Sequence, residues 1–252
     1  IADPMYGAGY DYLGDVLEEV GCRVKVIHGY RDPLFGGGVP DPTREELAEL
    51  ARVVDQEGAH LGVALDGDGD RFGIIDRGGF YLNANQVLAL ALYHLVKNRG
   101  LTGGVARTVA TTHMLDRIAE YYGLRLKETP VGFKYIGQAL HEQGFLFGGE
   151  ESGGLSMLGH VPEKDGLLAA LLMVEMVAVE KRPLREVWAE ITEKFGPSVT
   201  KRIDLPMRAQ DMPLVKEAVG EYEPAKLAGL PVVQRVVIDG TKLILSDGSW
   251  AL

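Results

Sequence analysis

The apolar positions of this chain switch repeatedly between a spacing of two and a spacing near 3.6, the pattern of strands alternating with helices. A Gly-rich turn at Tyr6–Gly9 leads into a helical pattern over Tyr12–Val20, a strand over Arg23–Ile27 and a breaker-dense loop, Asp32-Pro33-Leu34-Phe35-Gly36-Gly37-Gly38. Thr43 and Glu46 have capping-box spacing for a helix that ends near Glu57. Leu61–Leu65 and Phe72–Ile75 read as strands flanking a tight loop. Asp76-Arg77-Gly78-Gly79 then turns into a short strand over Phe80–Leu82, and Asn83 or Asn85 caps a helix running to about Asn98.

Glycines and polar residues interrupt the pattern over Asn98–Gly104, after which it restarts. The second block predicts strands over Val105–Ala110, Arg125–Glu128 and Phe145–Phe147, with helices over Met114–Tyr122 and Tyr135–Gln143. Long apolar helices over Gly166–Glu180 and Leu184–Phe195 complete it. Beyond Gly196-Pro197 the texture changes to short strands over Val199–Asp204, Val232–Ile238 and Thr241–Leu245, with one helix between them and breaks at Pro206, Pro213, Pro224 and Pro231. The predicted architecture is α/β: two tandem βαβ-type domains with mostly parallel mixed sheets, 1–99 and 100–196, followed by an incomplete α+β domain, 197–252. Ile1-Ala2-Asp3-Pro4 reads as the end of a strand already under way, and Trp250-Ala251-Leu252 as an extended segment cut short. A piece of a longer polypeptide is expected.

Composition narrows the chemistry. Hydrophobic residues at 46% and charged residues at 25% are ordinary for a globular protein, and 252 residues bury a substantial core. A net charge of −10 disfavours broad attraction to nucleic acid or to an anionic membrane, so an anionic substrate needs a local basic pocket. Cys22 is the only cysteine, which excludes an internal disulfide or a cysteine-rich zinc site and reads as a buried structural thiol. No apolar run approaches the roughly 20 residues that span a bilayer. No signal-peptide pattern opens the chain, and the cytoplasm is the expected compartment.

The richest chemistry lies in Asp66-Gly67-Asp68-Gly69-Asp70-Arg71, directly after the apolar strand 61–65. Three carboxylates alternating with glycines suit a hard divalent cation such as Mg²⁺, because the glycines let the backbone wrap around an ion. Arg71 adds a fixed cation that suits a phosphate. An EF-hand loop needs Gly at its sixth position and Glu at its twelfth, where this chain has Arg71 and Arg77. A solvated acidic turn would leave three like charges crowded together. An apolar strand followed by D-x-D also opens haloacid-dehalogenase-like phosphatases, with Asp66 as nucleophile and Asp68 as general acid, and that reading stays open.

A second constellation, Gly148-Gly149-Glu150-Glu151-Ser152-Gly153-Gly154, follows the strand 145–147. Both loops fall at the carboxyl ends of strands, where α/β sheets gather ligands. Glu150 and Ser152 offer acceptors and a donor for neighbouring sugar hydroxyls. Lys134 and Lys164 each stand close to a predicted helix N-terminus, where anions bind, and with Arg71 they could build the required basic pocket.

These segments, together with Asp32-Pro33-Leu34-Phe35-Gly36-Gly37, Thr129-Pro130-Val131-Gly132-Phe133-Lys134 and Pro162-Glu163-Lys164-Asp165-Gly166, occur in the order seen in the α-D-phosphohexomutases, which the chain resembles along essentially its whole length. The resemblance is to the second, third and start of the fourth of four domains. It implies a phosphoglucomutase-like isomerase that moves phosphate between C1 and C6 of a hexose phosphate through a phosphoserine and a bisphosphorylated sugar. Asp66, Asp68 and Asp70 would hold one Mg²⁺, Arg71 would contact phosphate, Glu150 and Ser152 would grip the 3- and 4-hydroxyls, and Lys134 and Lys164 would help position substrate. A hexose 1,6-bisphosphate would activate the full-length enzyme. The family's serine motif, Thr-Ala-Ser-His-Asn-Pro-like, and its Arg-Pro-Ser-Gly-Thr-Glu-Pro-like phosphate loop do not occur here, so the first domain and the rest of the fourth are expected as missing partners and this chain alone as inactive. The Glu150-Glu151-Ser152 loop favours glucose over mannose phosphates, with a phosphomannomutase or a non-catalytic metal- and sugar-phosphate-binding fragment as alternatives.

Overall fold

The computed structural model describes residues 1–142, 144–203 and 205–252. Gln143, the expected end of one helix, and Asp204, the expected end of one strand, lie outside the described residues.

The first unit is built from β1 (Ala2–Asp3), α1 (Leu13–Glu19), α2 (Ala48–Gln56), β2 (Leu61–Leu65), β3 (Phe72–Asp76) and β4 (Phe80–Leu82). Its sheet has the order β1-β2-β3-β4, with β1 parallel to β2 and the other two pairs antiparallel. The sheet is mixed, as expected, but only one of its pairs is parallel. The reason is local: β2 and β3 are joined by a tight loop, and a short connection can join only antiparallel neighbours. The strand expected over 23–27 is reduced to a parallel bridge between Ala2 and Val26, because β1 offers two residues before Pro4, which has no N–H to extend the ladder. Thr43 does accept the Glu46 N–H at 3.3 Å, yet the chain turns once more and α2 begins only at Ala48.

α3 (Ala84–Lys97) links the two α/β units, and Asn83 caps it in a complete capping box with Gln86, each side chain bonding the other's backbone N–H at 3.0 Å. Every residue from Val87 to Val96 is buried, so this helix is apolar on all sides for a reason: it runs through the centre of the main core. The second unit follows with β5 (Gly104–Thr108), α4 (Met114–Tyr121), β6 (Arg125–Thr129), α5 (Phe133–His141), β7 (Phe145–Glu150), β8 (Gly154–Met157), α6 (Gly166–Glu180) and α7 (Leu184–Phe195). Its sheet has the order β6-β5-β7-β8; β5 is parallel to both β6 and β7, and β8 turns back antiparallel on β7. β8 has no counterpart in the sequence reading, since Gly153-Gly154 reads as loop. Cys22 is half-buried and packs on the core without entering it.

The last unit holds α8 (Met212–Glu221) and the antiparallel strands β9 (Lys226–Leu227), β10 (Leu230–Val236), β11 (Lys242–Leu245) and β12 (Trp250–Ala251), in the order β12-β11-β10-β9. No strand forms over 199–203. That segment is exposed at Val199, and polar side chains there and just before it bond the second unit's side instead, Thr200 to Asn85 and Ser198 to Thr112. Among the described residues no helix is long and apolar enough to cross a membrane.

Candidate functional site

Leu65 pairs with Phe72 at the end of the β2–β3 ladder, so Asp66–Arg71 is a hairpin turn standing on two fully buried strands. Asp66 is 1% exposed and organises the turn. Its Oδ1 accepts the backbone N–H groups of Gly69 and Arg71, both at 3.0 Å, and its Oδ2 accepts Arg71 Nε at 2.8 Å. Gly69 sits at φ 86°, left-handed backbone that an L side chain would strain. Asp68 is exposed and Asp70 half-buried, and one oxygen of each aspartate lies within 4.8 Å of the others. Asp70 Oδ2 pairs with Lys164 Nζ at 2.7 Å, while its Oδ1 is buried with no hydrogen-bond partner. A buried carboxylate oxygen with no hydrogen bond, its ion pair to Arg71 Nε as long as 3.9 Å, in a cluster of oxygen donors fits a hard cation.

The turn is braced from below by a segment the sequence reading left without a role. Arg71 Nη1 donates to Asp41 Oδ1 at 2.8 Å, and Gly67 N–H donates to Pro40 carbonyl at 3.1 Å. Asp41 was legible only as the centre of Pro40-Asp41-Pro42, whose flanking prolines fix the backbone on either side. The first strand's exit closes in as well, since Ala8 N–H donates to Gly67 carbonyl at 2.9 Å and a Cβ at Gly7 would stand 2.5 Å from the same oxygen. Burial opposes the charge on Arg71, but its bonds to Asp66 and Asp41 outweigh it and raise the guanidinium's pKa. Lys164 behaves alike: burial lowers its pKa, the contact with Asp70 raises it, and the balance is upward.

The second loop is also a hairpin turn, between β7 and β8. Glu150 is the last residue of β7 and is 6% exposed. Its Oε1 accepts Ser152 Oγ–H at 2.9 Å, and its Oε2 is buried without a partner. Burial raises the Glu150 pKa and the neighbouring Glu151 adds to the effect, against the opposing pull of Ser152 and Lys164. Glu150 is thus held with Oε1 engaged by Ser152 and Oε2 without a hydrogen-bond partner, while the Gly132 backbone also favours its charge.

The two loops meet. Phe72 N–H donates to Gly153 carbonyl at 3.4 Å, and Gly166 N–H, at the start of α6, donates to Gly69 carbonyl at 3.1 Å. A Cβ at Gly166 would stand 2.4 Å from Arg71 carbonyl, so only glycine lets the helix end approach the aspartate loop this closely. Asp165 fixes that helix end by accepting the N–H groups of Leu167 and Leu168, and its other oxygen pairs with His160 at 2.8 Å. Asp66, Asp68, Asp70, Arg71, Glu150, Ser152 and Lys164 therefore converge on one face between the two units. Lys134 stands apart. It is exposed in the first turn of α5, and its ammonium lies over the Tyr135 ring, 4.9 Å from the centroid, with no ion pair to Glu150 or the aspartates.

Residues 1–79 match the family description "Phosphoglucomutase/phosphomannomutase, alpha/beta/alpha domain II", and residues 83–195 match "alpha/beta/alpha domain III" of the same family. The second match begins at Asn83, the cap of α3. A phosphoglucomutase of Komagataeibacter xylinus is 31% identical over 99% of this chain and 49% of its own length. A phosphoglucomutase/phosphomannomutase of Thermococcus kodakarensis is 30% identical over 100% of this chain and 53% of its own length, and a phosphoglucosamine mutase of Solidesulfovibrio magneticus is 32% identical over 91% and 50%. A solved structure from Thermus thermophilus, described as a "putative phosphomannomutase", superimposes with TM-score 0.83 at 34% identity, covering 100% of this chain and 53% of that one. The N-acetylphosphoglucosamine mutase of Aspergillus fumigatus, solved with GlcNAc-6P and magnesium, shares the fold over 75% of this chain and 48% of its own at TM-score 0.55 and 15% identity. This chain spans about half the length of the curated relatives it matches. The two consecutive domain matches run through both α/β units, and the chain belongs to the phosphoglucomutase/phosphomannomutase family.

Proposed function

We propose that this chain supplies the metal-binding and sugar-binding loops of a phosphohexomutase that moves phosphate between C1 and C6 of a hexose phosphate, with glucose phosphates favoured. The observation that carries the reading is the junction of the two hairpin turns. An acidic cation site with an orphaned oxygen lies against a Glu-x-Ser turn with an orphaned oxygen, and Lys164 and Arg71 stand at the seam.

In this reading Asp66, Asp68 and Asp70 hold Mg²⁺, which when bound would offset the negative charge of a phosphate in transfer. Arg71, locked by Asp66 and Asp41, presents its guanidinium as a fixed phosphate contact. Lys164, paired with Asp70 at 2.7 Å, would place its ammonium at the seam as a contact for the anionic substrate. Glu150 and Ser152 take hydroxyls in the middle of the sugar ring, the groups a hexose can present similarly with either C1 or C6 toward the metal. Lys134 reaches the substrate only by leaving the Tyr135 ring. The phosphatase reading, with Asp66 as nucleophile, is disfavoured because residues 1–79 and 83–195 match consecutive phosphoglucomutase/phosphomannomutase domains.

Calorimetry of this chain with glucose 1-phosphate in the presence and absence of Mg²⁺ tests the reading. Binding that strengthens with Mg²⁺ and exceeds that of mannose 1-phosphate is expected, without turnover, since the chain contains no serine in the family's nucleophile motif. Trapping of beryllofluoride on Asp66 would contradict it.

A further inference from the structure

We infer that Glu151, the middle residue of the Glu150-Glu151-Ser152 turn, is a positioning residue that anchors the sugar-reading turn to the end of β5 through the buried hydroxyls of Thr108 and Thr111. The inference rests on the reading of Glu150 and Ser152 as the sugar contacts and adds to it the device that aims them.

The turn that reverses the chain after β7, closed by Gly153 N–H donating to Glu150 carbonyl at 3.1 Å, carries Glu151 toward the end of β5. There it meets a pair of fully buried threonines, Thr108 at the last position of β5 and Thr111 in the turn that follows. Glu151 Oε2 accepts Thr108 Oγ–H at 2.9 Å and Thr111 Oγ–H at 3.2 Å, and the two hydroxyl oxygens are 2.8 Å apart. Thr111 Oγ in turn accepts the backbone N–H of Glu151 at 3.2 Å. Three oxygens and one amide thus close a small ring holding both the main chain and the side chain of the central residue. Neither threonine is near solvent, so removing the carboxylate leaves the two hydroxyls only each other, with one O–H proton unpaired, and an unpaired buried donor is costly.

The consequence falls on the neighbours. Glu150 is fixed as the last residue of β7 and Ser152 turns back to bond it, but the ladder ends there and the turn 151–153 has no sheet partner of its own. The ring at Glu151 is the side-chain bond that ties this turn to the floor of the second sheet. It also sets which way the chain leaves β7, and therefore where the Gly153 carbonyl lies to receive the Phe72 N–H of the metal hairpin. Glu151 acts on the sugar through its neighbours, and acts on the seam between the two loops through Gly153. A glutamine could keep the acceptor, because its amide carbonyl takes the same two hydroxyl donors; an alanine could not.

The test compares this chain with its Glu150→Gln, Glu151→Ala, Glu151→Gln and Thr108→Val/Thr111→Val variants, each titrated with glucose 1-phosphate in saturating Mg²⁺ and separately with Mg²⁺ alone, alongside thermal melts. Glu151→Ala is expected to weaken sugar-phosphate binding about tenfold, the scale of one lost charge-assisted hydrogen bond. Glu151→Gln should restore affinity to within about threefold of the parent, as a difference of under about 1 kcal/mol. The threonine double variant should match Glu151→Ala, and combining the two should cost no more than either alone, since they remove one ring. Mg²⁺ affinity should stay put in all four variants. No binding by the parent chain, or equal binding by Glu150→Gln, overturns the sugar-loop reading and this inference with it. Parent binding that is lost in Glu150→Gln but unchanged in Glu151→Ala overturns the positioning role alone. Should Glu151→Ala fail to fold, Glu151→Gln binding as poorly as the double valine variant would also overturn it.

Discussion

Glu150 shows how burying a single acid sets a cost in stability. Burial raises its pKa, so between the ordinary carboxylate range and that raised value the folded chain holds a proton the unfolded chain has lost. Stability contributed by the protonated form is therefore present at low pH and lost as pH rises through that window. Glu150→Gln, which never ionises, should melt higher than the parent at neutral pH and show a flatter profile on the acid side, measured by thermal melts from about pH 4 to pH 8. The same variant should lose the sugar. At this scale the sequence was informative about identity and less so about partners. The alternating aspartates and the Glu-x-Ser turn could be read directly because their spacing is local. The brace from Asp41 to Arg71 spans 30 positions, and no periodicity announces a contact made across a fold. Lys134 marks the opposite limit, since a lysine's place in sequence says little about which way four flexible bonds carry its ammonium.

Elements were most legible where local signals and burial agree. α3 has both a complete capping box and an apolar run, and its bounds follow the expectation to within one residue. The strand over 23–27 failed because strand character needs a partner, and β1 is too short to provide one. The first unit's sheet is mixed, as expected, with fewer parallel pairs than expected because the Asp66–Arg71 loop reverses the chain between β2 and β3. One polar junction among the helices carries its own prediction. Glu190 of α7 bonds Arg182, accepts Tyr93 O–H at 2.6 Å and pairs with Lys97 at 3.1 Å, and Arg182 leads the partners that lower its pKa to about 2. A depressed carboxylate contributes stability above the ordinary carboxylate pKa that is lost as pH falls through about 2. Glu190→Gln should therefore destabilise the chain at neutral pH and reduce the slope of acid unfolding below about pH 4, followed by circular dichroism.

Across the whole molecule, the last unit meets the second at a buried lysine, with a second bond from Val131 N–H to Asp239 at 3.2 Å. Lys242 of β11 is fully buried, with Nζ donating to Val109 carbonyl at 2.7 Å, to His113 Nε2 at 2.9 Å and to Glu128 at 3.0 Å, beneath the Trp250 ring at 4.5 Å. Arg107 completes the cluster, bound to Glu128 and Asp116. Burial first, then the Arg107 charge, lowers the His113 pKa to about 4, consistent with a neutral ring that accepts from the lysine. Stability from the neutral ring is present above the ordinary histidine pKa and is lost as pH falls through about 4, so the seam should loosen in acid before the sheets do. Lys242→Met keeps the apolar stem under Trp250 while removing the donor, and leaves acceptors worth about 1–3 kcal/mol each unsatisfied. Faster hydrogen exchange confined to β10–β12 is expected; unchanged protection there would show that the lysine's bonds do not hold the unit. None of this seam could be read from the sequence, where Lys242 looks like any lysine in an exposed hairpin.

The central claim is that the aspartate hairpin and the Glu-x-Ser hairpin form one site. A crystal of this chain grown with glucose 1-phosphate and Mn²⁺ in place of Mg²⁺ tests it most directly, because manganese is located by its anomalous scattering. The account predicts a manganese peak among Asp66, Asp68 and Asp70, with sugar hydroxyls against Glu150 Oε2 and Ser152 Oγ on the same face. Manganese in the aspartates with the sugar bound elsewhere, or a sugar in the turn with the aspartates free of metal, would contradict it.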